Sequence, residues 1–323
     1  MCRSARALLR SQSGLGASQA LSAAPTCPEC TLAPEVFQAL IRRRLRWPLP
    51  LSSACCSGCG CRVDVLGDHF SACMSSGRIK LRATPLEQTV AHICREAGAR
   101  VRTNVLLRNL NVAAAPGDQR QLEVIASGLQ VFGGSQLAID ITLRSPLQRD
   151  GSPRARADWF DGATAEAAGA DKEAKYPELT SGTRCRLIVL AIETGGRFSQ
   201  ELGEFLRQLA QARSLSAPSF LRAPTAAAYE RRWSRMLATC AASSYVQSLL
   251  PDKDELANLS APLSREPWLQ HLLTESRSDA AEPQADTTVV VGHSGGDEHG
   301  VPGSASPVAA SARVASGVGR CPL

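Results

Sequence analysis

Apolar residues occur in two patterns along this chain, one typical of helices and one typical of strands. Helical spacing or composition predicts helices at about 34–45, 84–97, 159–178, 199–213 and 225–250. Short apolar runs predict strands at about 101–107, 121–126, 136–143 and 186–192. The order helix, three strands, helix, strand, two helices predicts an α/β fold, with a small mixed central sheet flanked by helices.

Changes in composition divide the chain into four parts. Residues 1–34 are rich in Ala, Ser and Arg, which predicts a disordered leader, with an organellar transit peptide as the alternative. Residues 35–80 carry a basic helix and a small Cys/His/Gly segment. Residues 81–250 hold the sheet and its helices, and 251–323 become rich in Ser, Gly, Asp and Pro, which predicts a mostly disordered tail.

Two helices have informative local sequences. In the first, Val36 and its apolar neighbours face inward, which directs Arg42–Arg44 toward solvent. At the helix over 84–97, Thr84 is the expected N-cap, and Glu87 three residues later completes a capping box. Glu87 is also a weaker candidate for an acidic site.

Charge is distributed unevenly over the 323 residues. Residues 1–112 contain 15 basic and 6 acidic side chains, a net charge of +9, and the remainder contains 21 and 24, a net charge of −3. A basic front half favours contact with DNA or RNA, and scattered arginines on a solvated surface fit the charge equally well. No apolar run reaches the roughly 18 residues of a membrane helix, so no membrane partner is expected.

Cysteines cluster around a histidine in the second part of the chain. Seven of the twelve cysteines fall between Cys27 and Cys73, a pattern more typical of metal binding in a reducing compartment than of a disulfide framework. The spacing predicts a closed, structural tetrahedral Zn²⁺ site. Cys55 and Cys61 are competing ligands. The predicted ligands are Cys56, Cys59, His69 and Cys73.

Two acidic residues interrupt apolar strands. Burial of a carboxylate in such a run is costly unless it is paired or binds a metal, so Glu123 and Asp140 are predicted to hold Mg²⁺ or Mn²⁺. If their strands form a hairpin, the two face each other. Lys172 or Lys175 on the next helix would offset phosphate charge, and Glu193 at the end of the last strand is a further catalytic candidate.

Several of these positions together carry a family resemblance. In the Cys/His segment they are Cys59-Gly60, Asp64, Gly67, His69 and Cys73. In the sheet region they are Leu122-Glu123-Val124, Leu137-Ala138-Ile139-Asp140-Ile141-Thr142, Ser145-Pro146, Lys172-x-x-Lys175-Tyr176, Glu193 and Gly195-Gly196. Over about 35–250 the chain resembles the C-terminal region of non-LTR retrotransposon polyproteins. There, a Cys-Cys-His-Cys zinc knuckle precedes a restriction-like, PD-(D/E)XK-type endonuclease.

The resemblance implies an activity and its partners. It implies Mg²⁺-dependent cleavage of target DNA in the nucleus, with the nick priming reverse transcription and the knuckle gripping nucleic acid. The chain is then expected to be a piece detached from its reverse transcriptase, which would act in trans. Leu122-Glu123 stands where the family has Pro-Asp. No lysine follows Asp140 on its strand, and Lys172 or Lys175 matches the family variants that carry this lysine on the next helix.

Two other functions fit the same residues. One is a non-catalytic, zinc-dependent nucleic-acid-binding module with a vestigial nuclease fold, favoured by the basic front half and the altered motif. The other is a stabilising interaction protein without nucleic-acid chemistry.

Overall fold

A four-stranded mixed sheet lies at the centre of the fold. The computed structural model describes residues 1–110, 112, 114–180 and 184–260. The strands are β1 (Arg100–Leu106), β2 (Gln121–Ser127), β3 (Gln136–Arg144) and β4 (Cys185–Glu193). They lie in the order β1-β2-β3-β4, with β1, β2 and β3 antiparallel and β4 parallel to β3. This confirms the predicted α/β class and the mixed central sheet.

Helices pack on both faces of this sheet. Their bounds are α1 (Arg3–Ser11), α2 (Gln19–Ser22), α3 (Pro34–Arg44), α4 (Asp68–Ala72), α5 (Ala83–Glu96), α6 (Ala163–Lys175), α7 (Pro177–Thr180), α8 (Gln200–Ser214), α9 (Arg222–Leu249) and α10 (Lys253–Ala257). One sheet face forms the main core with α5, α8 and α9, and the other packs against α6 and α7. None of the described helices is both long and apolar enough to cross a membrane.

The first 34 residues differ from the predicted disordered leader. Helix α1 is attached to distant parts of the chain, because Arg3 Nε donates to Asp158 Oδ2 at 2.8 Å and the Gly195 amide donates to Ser11 Oγ at 2.9 Å. Ala7 and Leu8 are buried in a small cluster with residues of the 146–157 region. The segment is ordered by partners about 150 positions away, which local composition does not reveal.

The arginines of α3 also depart from the prediction. Arg43 is buried, pairs with Asp68 Oδ1 at 2.9 Å and donates to the Tyr245 hydroxyl at 3.0 Å. Arg44 donates to the Gly195 carbonyl at 2.9 Å. The basic side chains of this helix therefore bind the protein itself rather than face solvent, because buried acceptors on other elements surround the helix.

Helix α5 begins differently from the capping-box prediction. A 3-10 turn over Arg78–Arg82 runs directly into α5, so Thr84 lies inside the first turn and makes no cap. Glu87 is half-buried and acts electrostatically on the acidic residues of the sheet.

The predicted disordered tail over 251–323 is ordered at its start. Helix α10 lies within it, and its N-cap Asp252 accepts a hydrogen bond from the amide of Asp254. The rest of that prediction, over 261–323, lies outside the described residues.

Candidate functional site

The β2–β3 hairpin brings the two strand carboxylates together, as the sequence predicts. The antiparallel register pairs Val124 with Ile139, so one step further along the ladder Glu123 lies opposite Asp140. The amide of Ile141 donates to Glu123 Oε2 at 2.7 Å, which fixes that carboxylate against the neighbouring strand. Asp140 is only 1% exposed.

Helix α6 supplies the cation that faces this pair. Lys172 Nζ lies 2.5 Å from Asp140 Oδ1 and 3.9 Å from Glu123 Oε1. Lys175, one turn later, is exposed and lies over the Tyr176 ring at 4.8 Å from its centroid. Of the two lysines that the sequence leaves open, the structure places Lys172 against the carboxylates and Lys175 outside the site.

The site carries more negative charge than Lys172 alone offsets. Burial, and then the neighbouring Asp140 carboxylate, raise the pKa of Glu123 to about 8. Burial, followed by the same aspartate, also raises the pKa of Glu87. A divalent cation between Glu123 and Asp140 would relieve this repulsion, and carboxylate oxygens are the ligands that Mg²⁺ and Mn²⁺ prefer. The donor set thus fits such an ion.

Glu193 lies elsewhere. In the parallel β3–β4 register Val189 is opposite Asp140, while Glu193 is opposite Arg144, about 13 Å further along the strand. Glu193 is buried, burial raises its pKa, and Ser11 of α1 hydrogen-bonds to its side chain. Glu193 therefore lies apart from the strand carboxylates along the strand, and its catalytic role stays a prediction.

A cavity of about 520 Å³ opens beside the carboxylates. Glu123 and Lys172 line one side, and residues from the end of the Cys/His segment line another. Three arginines that are not among the predicted site residues, Arg82, Arg144 and Arg154, also line it. Strand alternation gives a signal for Arg144, because it lies four positions after Asp140 and therefore on the same face of β3.

The Cys/His segment folds into a four-residue cluster. Its potential ligand atoms all lie within 4.8 Å of one another, in the set Cys56, Cys59, His69 and Cys73. The sulfur–sulfur distances are 3.9 Å for Cys56–Cys73 and 3.7 Å for Cys59–Cys73. Tetrahedral Zn–S bonds of about 2.3 Å place sulfurs about 3.8 Å apart, so this cluster can hold a metal ion such as zinc. Cys55 and Cys61, the competing ligands, are exposed and lie outside the set.

Local hydrogen bonds shape this cluster. The Asp64 carboxylate accepts from the amides of Leu66, Asp68 and His69 at 2.8–3.0 Å, which fixes the start of α4. A Cβ at Gly58 would lie 1.9 Å from the Ser75 carbonyl oxygen, so the loop requires glycine there.

His69 connects the cluster to the segment that follows β3. Its Nδ1 donates to the Arg149 carbonyl at 3.0 Å, which leaves Nε2 directed at Cys59 Sγ, 3.3 Å away. Metal-binding histidines commonly donate their second ring N–H in this way, and the bond orients the ring.

Comparisons with known proteins assign no family to this chain. No family model matches it, and no curated protein matches its sequence.

The structure brings together most of the predicted site residues, in two places. Glu123, Asp140 and Lys172 form an acidic site on the α6 face of the sheet. The four potential ligands form a separate Cys/His cluster. The 520 Å³ cavity lies next to both, since Glu123 and Lys172 of the acidic site line it together with Ser71 and Ala72, which lie between His69 and Cys73 in the chain.

Proposed function

We propose that this chain is a divalent-metal-dependent endonuclease that hydrolyses phosphodiester bonds in DNA. The observation that carries the proposal is the juxtaposition of buried Asp140, facing Glu123 and the Lys172 ammonium beside an open cavity. The order helix, three antiparallel strands, crossover helix and parallel strand supports the restriction-like fold that the sequence resemblance implies.

Each side chain has a role that its position supports. Glu123 and Asp140 would hold Mg²⁺ or Mn²⁺, whose charge offsets that of a scissile phosphate. Lys172 would orient the attacking water and offset charge that develops on the phosphate oxygens. Because Lys172 contacts Asp140 and Glu123, it would take the place of the family's strand lysine, which β3 lacks.

The Cys/His cluster is assigned a structural Zn²⁺ within this proposal. Four protein ligands leave no open position for water, which is typical of structural zinc. A nuclear location and a reverse transcriptase acting in trans belong to the same proposal, through the resemblance to the retrotransposon family. The basic residues of α3 give little support to the alternative of a pure nucleic-acid-binding module, because Arg43 and Arg44 bind the protein.

Nicking of a supercoiled plasmid in Mg²⁺ or Mn²⁺ tests this function. The zinc-loaded protein is expected to nick the plasmid, and Asp140→Asn and Lys172→Met are each expected to lower the rate about 100-fold or more, the usual loss when one preorganised charge is removed. Lys175→Met is the matched control, since it removes the same charge from the same helix outside the site. Its rate should stay close to that of the parent.

Two results would overturn the proposal. One is a parent protein that binds DNA but does not nick it in either metal, which would favour the nucleic-acid-binding module. The other is an Asp140→Asn variant that nicks as fast as the parent. Isothermal titration of Mn²⁺ into the parent and into Asp140→Asn reports separately whether the carboxylates bind the ion.

A further inference from the structure

The cations that line the 520 Å³ cavity differ in their partners. Lys172 pairs with Asp140, and Arg144 Nη1 pairs with Asp171 Oδ2 at 2.5 Å. Arg154 makes no ion pair with any residue that the structure describes. Arg82 also lines the cavity without an ion pair, but its guanidinium nitrogens donate to Ser248 Oγ and to the carbonyls of Ser71 and Phe70. Among the described residues, Arg154 is thus the cavity arginine with neither an ion pair nor a partner for its terminal guanidinium nitrogens.

Arg154 is nevertheless held in place. Its Nε donates to the Ser145 carbonyl at 2.9 Å, and its amide donates to the Pro146 carbonyl at 2.8 Å. The first bond uses only the Nε of the side chain, and the second uses the backbone. The terminal guanidinium nitrogens are left for another acceptor. Burial, and then the neighbouring Arg144, lower the pKa of Arg154, and the Asp171 carboxylate, which pairs with Arg144, offsets this only in part. An anion from outside the protein would provide the remaining compensation.

The segment that carries Arg154 is fastened at two points. Residues 146–156 form a tight hairpin, with a bridge between Leu147 and Pro153. The carbonyl of Arg149 accepts from His69 Nδ1, a ligand of the Cys/His cluster, and the carbonyl of Gly151 accepts from Ser4 Oγ of α1 at 2.8 Å. The hairpin therefore connects the Cys/His cluster directly to the wall of the cavity.

We infer that Arg154 binds a backbone phosphate of the nucleic acid beside the acidic site, and that metal binding at the Cys/His cluster positions this arginine through His69 and the hairpin. This inference rests on the proposed function for the nature of the ligand. An arginine guanidinium suits a phosphate because its planar N–H groups can donate two parallel hydrogen bonds.

The first experiment measures binding of a short fluorescein-labelled DNA duplex to zinc-loaded protein in Ca²⁺, across a salt series. Arg154→Ala is expected to weaken binding about tenfold, the loss of one charge-assisted hydrogen bond, and to lower the slope of log Kd against log salt by about 1. Arg154→Lys keeps the charge but loses the paired donors, so its affinity for the duplex should lie between those of the parent and Arg154→Ala. Arg149→Ala is the matched control, because it removes an exposed positive charge from the same hairpin while its carbonyl still accepts from His69.

The second experiment tests the connection to the cluster, because a duplex that holds Arg154 in place should also hold the hairpin whose carbonyl accepts from His69. The rate of Zn²⁺ transfer to a colorimetric chelator is measured with and without the duplex. The duplex should slow transfer from the parent and from Arg149→Ala, and should leave the rate of Arg154→Ala unchanged.

The outcomes separate this inference from the proposed function. If Arg154→Ala and Arg149→Ala bind the duplex equally well, the assignment of Arg154 is wrong, whether or not the parent nicks DNA. If the duplex slows zinc transfer equally in the parent and Arg154→Ala, the role of the hairpin is wrong. A parent that fails to nick DNA but loses affinity on Arg154→Ala would contradict the endonuclease and support the phosphate site.

Discussion

At the scale of single residues, the acidic site shows which positions a sequence can reveal. Asp140 and Glu123 stand out because each interrupts an apolar strand, and the structure places them side by side. The choice between Lys172 and Lys175 cannot be made from spacing, because it depends on how α6 is rotated against the sheet. Arg154 has no local signal at all, since its importance comes from its place in the cavity wall and from the lack of an ion pair with any described residue.

Glu123 makes the stability of the metal-free protein depend on pH. Its folded pKa of about 8 lies above the ordinary value of 4.5, so the folded state holds the proton more tightly than the unfolded state. The stabilisation from this proton is complete below pH 4.5 and is lost as the pH rises toward 8. The free energy of unfolding of Glu123→Gln, minus that of the parent, should therefore increase over this range by at most about 1.4 kcal/mol per pH unit.

Urea unfolding of both proteins at several pH values measures this difference, in which titrations common to both cancel. For Glu173→Gln, which changes an exposed acid on α6, the difference in the free energy of unfolding from the parent should not change with pH. Mn²⁺ should reduce the slope for Glu123, because the ion competes with the proton for the same oxygens. A flat difference for Glu123→Gln in the absence of Mn²⁺ would mean that its pKa is not raised.

At the scale of elements, the spacing of apolar residues and the turn-forming residues between them predict the strands and most helices well. The β2–β3 pairing follows from two apolar runs on either side of Gly133-Gly134, both of which adopt positive φ. The start of α5 is mispredicted because Thr84 and Glu87 satisfy a capping pattern that a preceding 3-10 turn makes unnecessary. A short motif thus predicts a helix end only where the chain before it is not already helical.

The Cys/His cluster gives a prediction at this same scale. Gly58→Ala would force a Cβ against the Ser75 carbonyl, so the loop between Cys56 and Cys59 must move. We expect this variant to lose about 1–3 kcal/mol of stability and to bind zinc more weakly, by analogy with overpacked cores. Thermal unfolding and a colorimetric zinc assay measure the two effects. Gly117→Ala, in a loop with open space around it, is the control, and equal behaviour of the two variants would contradict the prediction.

At the scale of the whole molecule, the N-terminal segment is where sequence reading fails. Residues 1–34 have no acidic partners nearby in sequence until Glu29, so their arginines suggest a solvated leader. In the fold, Asp158 and Asp161 pair with Arg3, Arg6 and Arg10. Contacts between residues about 150 positions apart cannot be read from local composition.

Limited trypsin digestion tests the docking of α1. The intact protein should be cleaved slowly after the arginines of this helix, because cleavage requires the helix to open locally. Asp158→Asn removes the buried negative charge that pairs with Arg3 and Arg6, and should release the N-terminal peptides severalfold faster, as followed by mass spectrometry. Glu230→Gln, which alters a half-buried carboxylate near Arg207, should leave the cleavage rate unchanged. Equal release from the parent and Asp158→Asn would show that α1 is not held through Asp158.

The position of α9 bears on how this protein is made. It is the last long helix of the described chain, and it packs against α2, α3, α4, α5 and α8, all of which leave the ribosome before it. The Cys/His cluster needs only ligands from Cys56 to Cys73, so it can capture its metal early in synthesis. The apolar faces of the earlier helices, in contrast, stay uncovered until α9 emerges, which exposes the nascent chain to aggregation and makes it a candidate client for chaperones.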